Sequence, residues 1–257
     1  METPKKIAVA GGTGRVGHHV VNVLTERGYE VVPMSRATGV DVVTGQGLDE
    51  ALKGVDIVID AATGPSPDEK EATDFFLAST RNLQEAGTRA GVKLIVVVSI
   101  IGTDAVRGGY NAAKLAHEKA MLEGPIPVRI LRAAQFHEFV GELVNWGRQG
   151  EDVAFVPKMR TQIVAARTVA EGLVDLATDD SAVNGATTEI AGPREERLVD
   201  IARKLMAHSG DPVQVLEGDT GVDPDGDPWD SSVLLPGPDA KLAGPTFDEW
   251  LAAEVPA

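Results

Sequence analysis

Short apolar runs alternate with amphipathic stretches through the first 150 residues of the chain. The apolar runs are continuous, which is typical of strands covered on both faces in a parallel sheet. The amphipathic stretches carry apolar residues at helical spacing, and several end at a glycine suited to the end of a helix. The pattern predicts strands over residues 6–10, 30–34, 55–60, 94–98 and 128–131, and helices over 18–27, 47–53, 72–90, 111–122 and 137–148.

This alternation predicts a doubly wound α/β fold with a mainly parallel sheet. Two further helices are predicted over 168–177 and 198–208. The sequence contains no internal repeat and no clean linker, so we expect one domain over 1–257, with a core over 1–150 and a mixed C-terminal region over 151–257. Residues 217–230 hold six acidic residues, three glycines and two prolines, a composition that predicts an irregular loop.

A glycine-rich turn follows the first predicted strand. Its glycines satisfy both the GxGxxG and the GxxGxxG spacings. Glycines permit a tight turn and a close approach of backbone to a pyrophosphate, and the helix that follows offers free N–H groups and the positive end of its dipole. The core is therefore predicted to bind a dinucleotide through Gly11, Gly12, Thr13, Gly14, Arg15, Val16 and Gly17. A P-loop is excluded because no GK[ST] follows.

The end of the second predicted strand bears on which dinucleotide binds. NAD-preferring sites usually place an Asp or Glu there for the ribose hydroxyls, whereas this chain has Ser35 and Arg36. A guanidinium suits a 2′-phosphate, and a serine hydroxyl can donate a hydrogen bond to it. We therefore expect NADP(H) as the preferred cofactor and NAD(H) as the alternative, with Arg15 as a further phosphate contact. The competing interpretation is that Arg36 is an ordinary solvated cation.

These residues carry a family resemblance. The chain resembles atypical short-chain dehydrogenases/reductases of the NmrA-like, NAD(P)H-binding group over most of its length. The matching segments are GGTGRVG (11–17), SR (35–36), GVDVVTG (39–45), VDIVIDAAT (55–63), GVKLIVVVSIIG (91–102), YNAAK (110–114), ILRAAQFHEF (130–139), IAGP (190–193) and TFDEWLA (246–252).

The resemblance implies roles for further positions. Asp41 and Val42, after a third strand, would lie at the adenine. The residues that end a fourth strand and would back the ribose and phosphates are Ala61, Ala62 and Thr63. Those that would flank the nicotinamide are Ala133, Ala134 and Phe136. The candidates for a substrate pocket are Gln135, His137, Phe139 and Trp146, with a packed, structural His137 as the alternative.

Tyr110 and Lys114 form a YxxxK pair, and side chains four residues apart share one face of a helix. A free tyrosine has a pKa near ~10, and a nearby ammonium and a positive nicotinamide ring would lower it. Lys114 would also hold the ribose hydroxyls. Ser99, closing a fifth strand at the sheet edge where α/β ligands bind, would hydrogen-bond a substrate carbonyl. The alternative is that Tyr110 and Lys114 only pack and solvate a helix.

Composition narrows the classes of function. The chain has 257 residues, no cysteine and a formal net charge of −15. Thiol nucleophiles and thiolate metal sites are excluded, and the negative charge disfavours nucleic acid and anionic membranes. We expect no metal, because the histidines lack ligand spacing and the acidic stretch departs from an EF-hand at Pro228 and Leu234. The apolar runs are too short to span a membrane, so a cytoplasmic protein with a small-molecule substrate is expected.

The sequence therefore predicts an NADP(H)-dependent reductase that transfers hydride to a small carbonyl, quinone or conjugated acceptor. Tyr110 would give the proton, while Lys114 and Ser99 would assist. A non-catalytic NADP(H)-binding redox sensor is the alternative from a different class. A nucleotide-sugar epimerase ranks lower, because the C-terminal part is short for a sugar-nucleotide domain. The acidic loop over 217–230 is expected to lie over the substrate cleft.

Overall fold

The computed structural model describes residues 5–106, 108–218 and 232–253. The first half consists of β1 (Lys6–Ala10), α1 (Gly17–Glu26), β2 (Glu30–Met34), α2 (Leu48–Ala51), β3 (Ile57–Asp60), α3 (Glu69–Ala90), β4 (Leu94–Ile100), α4 (Gly109–Leu122) and β5 (Val128–Ala133). The second half contains α5 (Val140–Trp146), β6 (Arg148–Gln149), β7 (Val153–Pro157), β8 (Arg160–Thr161), α6 (Ala166–Thr178), β9 (Thr187–Ala191), β10 (Glu196–Arg197), α7 (Leu198–Ser209), β11 (Gln214–Gly218), β12 (Lys241–Leu242) and α8 (Phe247–Ala253).

The central sheet has seven strands in the order β12-β9-β5-β4-β3-β1-β2. Every neighbouring pair in it is parallel. Helices cover both faces, and β1 shows why its sequence is apolar throughout. Ile7 and Val9 belong to a core cluster with α1 and α6, whereas Ala8 and Ala10 belong to the opposite cluster with α3 and α4. The predicted doubly wound α/β fold is confirmed.

The strand order creates a crevice between β1 and β3. The chain runs from β1 outward to β2 and then returns to β3 on the other side of β1. Segments that follow two such strands diverge, and ligands of open α/β sheets bind in the crevice that this leaves at the carboxyl ends. The glycine loop follows β1 and Ala61 follows β3, with the Ala61 amide donating to the Ala10 carbonyl at 3.0 Å. Both segments therefore border the crevice.

The expected numbering of the strands was wrong. Residues 35–56, all of which the structure describes, contain no strand between β2 and β3. Asp41 and Val42 therefore follow no third strand and lie in the loop before α2, while Ala61 follows the third strand and not a fourth. Ser99 lies in the fourth strand, β4, and does not close it, because pairing with β5 continues through Ile100. The numbering differs because a 3-10 turn (Arg36–Thr38), a loop and α2 connect β2 to β3 where a further strand was expected.

The C-terminal region has a hydrophobic core of its own. A three-stranded sheet in the order β11-β7-β6 and the antiparallel pair β8–β10 surround it. Leu198 and Ile201 of α7 and Phe247 of α8 pack in this core and are almost completely buried. The short strands here were not predicted: β6, β8 and β10 have two residues each, and the apolar run of β7 (VAFVP) was overlooked. The division into one domain with a core over 1–150 stays a prediction.

Two expected elements of this region differ in the structure. The helix expected over 137–148 is a 3-10 turn at His137–Phe139 followed by α5 (Val140–Trp146), and Arg148 is in β6. Gly147 ends the helix where a Cβ would overlap the Phe155 carbonyl. Of the irregular loop expected over 217–230, Glu217 and Gly218 instead end β11, and residues 219–230 lie outside the described residues. None of the described helices has the length and apolar character that crossing a bilayer requires.

Replacing Phe247 by Ala tests how much the C-terminal core contributes to stability. The Phe247 side chain is 1% exposed, so its truncation leaves a cavity and should lower the free energy of unfolding by about 3–5 kcal/mol. Leu242→Ala is the matched control, because Leu242 is 53% exposed and its loss should change stability by less than about 0.5 kcal/mol. Urea denaturation followed by circular dichroism measures both. Equal effects of the two substitutions would contradict the packing described.

Candidate cofactor and active site

The glycine loop passes its neighbours too closely for side chains. Gly11 has a φ of +71°, and a Cβ there would lie 2.7 Å from the Ala61 carbonyl oxygen. A Cβ at Gly17 would overlap the Gly11 carbonyl oxygen, and one at Gly12 would lie 3.1 Å from the backbone of Pro33. Only glycine allows this turn to lie against β2 and the segment after β3. The loop is thereby held at the mouth of the crevice.

The outer part of the loop offers unused donors. Thr13, Gly14 and Arg15 are exposed. Within the described ranges, the backbone amides of Arg15 and Val16 donate to no protein acceptor, and both precede the first turn of the ten-residue helix α1. Free amides at the positive end of a helix are the donors that a phosphate group requires. This part of the structure therefore fits a dinucleotide pyrophosphate.

Arg15 is already paired with another element. Its guanidinium forms an ion pair with Glu142 of α5 and lies 5.7 Å from the centre of the Phe139 ring. A phosphate contact by Arg15 would compete with this pair. The contact also explains where Phe139 lies: it is beside the glycine loop, with Trp146 packed edge-on against it at 5.3 Å between ring centres.

Ser35 and Arg36 follow β2 at the crevice, as predicted. The Ser35 hydroxyl is buried and has no hydrogen-bond partner in the described structure, while its backbone amide donates to Thr38 Oγ1 at 2.9 Å. Arg36 is exposed at the start of a 3-10 turn and forms no ion pair within the described part of the chain. An orphaned hydroxyl beside an unpaired guanidinium is a site ready for an anion.

A side chain that the sequence analysis missed fixes the adenine-side loop. Asn82 of α3 donates from Nδ2 to the Val42 carbonyl at 2.9 Å and to the Val43 carbonyl at 2.6 Å. Asp41 Oδ1 accepts from the Val43 amide at 2.8 Å, so its carboxylate closes a turn. Val42 is buried. No local signal singled out Asn82, because polar residues such as Ser79, Arg81 and Gln84 surround it in α3.

Tyr110 contacts Thr63, one of the three residues expected to back the ribose and phosphates. Its hydroxyl is 2.8 Å from Thr63 Oγ1, and its ring packs edge-on against Phe76 at 5.9 Å between centres. Burial raises the pKa of Tyr110, and the hydrogen bond with Thr63 only partly offsets this. Lys114 does not offset this rise, because its Nζ bonds to other groups. The lowering expected from an ammonium together with a nicotinamide ring stays a prediction.

Lys114 is a buried amine, only 5% exposed. Its Nζ donates to the Val98 carbonyl at 2.8 Å, lies 3.2 Å from His117 Nδ1 and sits 4.5 Å from the centre of the Phe76 ring. Burial lowers the pKa of Lys114 to about 8. The amine thus contacts the backbone next to Ser99 but has no direct contact with the Tyr110 hydroxyl.

His117 and Asp60 complete this buried group, and the sequence analysis missed both. His117 Nε2 lies 3.2 Å from Asp60 Oδ2, and both side chains are 1% exposed. Asp60 Oδ1 accepts from the Ala62 amide at 3.0 Å. The signals were present: Asp60 is a charge closing an apolar strand, and His117 is three residues after Lys114 on one helix face.

Ser99 is buried on β4, and its Oγ has no hydrogen-bond partner among the described residues. It pairs in register with Arg132 of β5. Ser99 follows Val98, whose carbonyl accepts from Lys114. The structure therefore brings Ser99 and Lys114 together and places Tyr110 one helical turn from Lys114, joined to the same region through Thr63.

The residues expected near the nicotinamide and substrate divide into two groups. Ala133 and Ala134 are buried at the end of β5, and Gln135 Oε1 accepts from Thr161 Oγ1 at 2.8 Å. Phe136 is half-buried against the main core and bridges to Val164. Ala133 ends β5 and the other three follow it, at the same sheet edge as Ser99. Their contact with a nicotinamide or a substrate stays a prediction.

His137 belongs to the C-terminal core and not to an open pocket. Its ring packs edge-on against Phe247 and Trp250, each at 5.4 Å between centres, and Nε2 lies 3.2 Å from the Ile163 carbonyl. Burial lowers the pKa of His137 to about 4. The packed alternative is the arrangement observed. Trp146, by contrast, is 65% exposed.

A family model described as NAD(P)H-binding matches residues 11–180. The chain belongs to this NAD(P)H-binding family. The matched span contains the glycine loop, Arg36, Ser99, Tyr110 and Lys114, so the site described above lies inside the family's own region.

Two curated relatives match part of the chain. The photosystem II assembly factor Ycf39 of Synechocystis is 30% identical over 110 residues, which are 37% of this chain and 34% of that protein. The sterol-4-alpha-carboxylate 3-dehydrogenase, decarboxylating, of Mus musculus is 29% identical over 153 residues, 48% of this chain and 42% of that protein. The chain thus spans less than half the length of these relatives. The expected resemblance to an NAD(P)H-binding group is confirmed by the family model.

A solved structure of MoeE5 in complex with UDP-glucose and NAD has the same fold. Its TM-score is 0.75 at 20% sequence identity, and the alignment covers 97% of this chain and 97% of that chain. The shared fold therefore includes the C-terminal region and not only the nucleotide-binding core.

Replacing Gly17 by Ala tests whether the glycine loop forms the cofactor site. The added Cβ overlaps the Gly11 carbonyl, so the loop must shift; we expect a loss of about 1–3 kcal/mol in stability and a marked loss of NADPH affinity in fluorescence titration. Gly141→Ala is the control, since its Cβ would lie 3.7 Å from the nearest neighbour, Leu205. NADPH affinity that is equal in both variants would exclude this loop as the binding site.

Proposed function

We propose that the protein is an NADPH-dependent reductase of a small carbonyl, quinone or conjugated acceptor. The observation that carries this proposal is Tyr110, whose hydroxyl is 2.8 Å from Thr63 Oγ1 at the crevice beside the glycine loop. It lies one helical turn before the buried Lys114. A phenol and an amine on one helix face, next to a dinucleotide site, suit proton donation to a substrate oxygen.

The residues around the crevice fit NADPH. The free amides of Arg15 and Val16 suit the pyrophosphate, while Arg36 and the orphaned Ser35 hydroxyl suit the 2′-phosphate. When bound, NADPH supplies the hydride that reduces the substrate carbon. The chain's part is to bind the dinucleotide at the strand ends and to orient the acceptor beside it.

Tyr110 is suited to donate a proton and not to remove one. Because burial raises its pKa, the phenol stays protonated at neutral pH and can give its proton to an oxygen that becomes an alkoxide. Ser99 Oγ, buried and without a partner in the described structure, is a second donor for that oxygen. Donors oriented toward developing negative charge lower the barrier of such a reaction.

Replacing Tyr110 by Phe removes only the donor oxygen. Turnover of NADPH with a panel of quinones, aldehydes and ketones should fall by about 10²–10⁴-fold, while NADPH binding stays unchanged. The chain has only two tyrosines, and Tyr29→Phe is the matched control with full activity expected. Turnover that survives in Tyr110→Phe would refute the proton-donor role. Tight NADPH binding by the wild type without turnover of any acceptor would favour the redox sensor.

Arg36→Asp tests the preference for NADPH. The substitution removes the guanidinium and adds a charge that repels a 2′-phosphate, so the Kd for NADPH should rise at least about tenfold relative to that for NADH. Lys53→Asp makes the same charge change on an exposed turn before β3, at the opposite edge of the sheet, and should leave the ratio unchanged. Parallel titrations with both dinucleotides measure it. An unaltered ratio in Arg36→Asp would show that Arg36 does not read the phosphate.

A nucleotide-sugar enzyme is the second candidate. The relevant observation is that MoeE5, with UDP-glucose and NAD bound, aligns over 97% of both chains. The length of the C-terminal region is therefore no argument against a sugar nucleotide. The two candidates differ in their balance of reducing equivalents, since an epimerase returns its hydride and consumes no cofactor. Conversion of UDP-glucose by the purified protein without net oxidation of NADPH would favour this candidate over the reductase.

A further inference from the structure

We propose that Asp60 and His117 are positioning residues that hold the Lys114 amine in its charged form beneath Tyr110. The inference rests on the proposed reductase function for its catalytic meaning. The contacts that carry it belong to the protein alone and are testable without substrate.

The donors of Lys114 are directed by its surroundings. The ammonium has three N–H groups. One donates to the Val98 carbonyl at 2.8 Å, and a second points to His117 Nδ1 at 3.2 Å. The Phe76 ring, 4.5 Å away, provides a favourable face for the positive charge. The amine is thus located by three separate elements: β4, α4 and α3.

This arrangement determines the tautomer of His117. If Lys114 donates to Nδ1, that nitrogen must be the acceptor of the ring, and the proton of the neutral imidazole lies on Nε2. Nε2 lies 3.2 Å from Asp60 Oδ2, which is close enough for an electrostatic contact, although the two atoms are not aligned as a hydrogen bond. The ring is also stacked on Phe76 with 4.6 Å between centres and 14° between planes, so rotation that would exchange the two nitrogens is hindered.

Asp60 is the residue from which the contacts to His117 and Lys114 begin. One carboxylate oxygen accepts from the Ala62 amide at 3.0 Å, and the other faces His117. A buried carboxylate and a buried ammonium joined through a neutral imidazole have no net charge. This balance offsets the cost of burying each charge, which is severe for an isolated ion.

The other ionisable groups near Lys114 do not supply this balance. Glu118, also on α4, favours the charged amine, but it is bound by Arg132 of β5 through two hydrogen bonds at 3.0 and 2.7 Å. Tyr110 on the same helix is neutral, and α3 contributes the Phe76 ring. Asp60 is therefore the carboxylate that Lys114 depends on through His117.

The same short segment also holds Tyr110. Asp60 reaches Lys114 through His117, and Thr63, three residues later, contacts the Tyr110 hydroxyl. The proton donor and the amine below it are therefore positioned by one piece of backbone between β3 and the loop that follows. Loss of the Asp60 charge should make the amine easier to deprotonate and should leave the Thr63 contact in place.

The first test uses the wild-type protein without ligand. Long-range ¹H–¹⁵N spectra of ¹⁵N-labelled protein should show His117 as the neutral Nε2–H tautomer at pH 7. An Nδ1–H tautomer or an imidazolium would overturn the proposal, because neither can accept from Lys114. This measurement requires no variant, and so it is unaffected by whether a substitution at a buried position disturbs folding.

The second test compares Asp60→Asn with Asp56→Asn. Asp56 precedes the same strand at its other end and pairs with Lys93, so it is a matched loss of one charge. NMR titration of the Lys114 side chain should give a pKa lower than the wild-type value by at least about one unit in Asp60→Asn, a tenfold change in the charged fraction. The pKa should not change in Asp56→Asn. An unchanged pKa in Asp60→Asn would overturn the proposal.

A pH profile separates this inference from the proposed function. If Lys114 must be charged, kcat/KM of the wild type should fall as pH rises through about 8, the pKa of Lys114. In Asp60→Asn this alkaline fall should move to lower pH by the shift seen in the titration. A profile that does not move would refute the positioning role. Absence of any turnover in the wild type, with the expected tautomer and shift present, would refute the reductase and leave the pairing intact.

Discussion

The arrangement of the site depends on one close approach of backbone to backbone. The turn at Gly11 lies so tightly against the carbonyl of Ala61 that a Cβ does not fit there, and a Cβ at Gly17 would overlap the Gly11 carbonyl. This contact joins the end of β1 to the end of β3 and directs the start of α1 into the crevice. The segment after β3 in turn carries Asp60 and Thr63, on which the Lys114 and Tyr110 contacts depend. A wider turn would separate the phosphate donors from the reacting groups.

The sequence predicted the fold well because the signals were local. The strands β1 to β5 are mostly apolar, and β1 and β2 begin and end where expected. The glycine spacing located the loop for the same reason. The strands β9 and β12 were missed, because β9 is half polar and β12 has only two residues. No strand forms near Asp41 in the described part of the chain. Val40 and Val42 instead pack into the core from a loop, and Asn82 holds this loop through the carbonyls of Val42 and Val43.

The site was only partly predictable, because its electrostatics arise between distant segments. Asp60 and His117 are 57 positions apart in the sequence, and nothing local indicates that they meet. Arg15 and Arg36 were expected to contact phosphates, and Lys114 was expected to hold the ribose hydroxyls. Instead Arg15 pairs with Glu142 and Lys114 is buried among its own partners, so Arg36 is the one of the three that is exposed and has no side-chain partner among the described residues.

The two contacts between the Asp60–Thr63 segment and α4 fix the spacing of residues along both segments. Asp60 meets His117 and Thr63 meets Tyr110, so three residues of loop are matched with seven of helix. Three residues span at most about 10 Å when fully extended, and seven helical residues rise by about 10.5 Å. The two lengths are nearly equal, so both contacts form together only when each segment has its present number of residues. Insertion or deletion of one residue in either segment therefore leaves at most one of the two contacts in place, so the length of both segments is constrained.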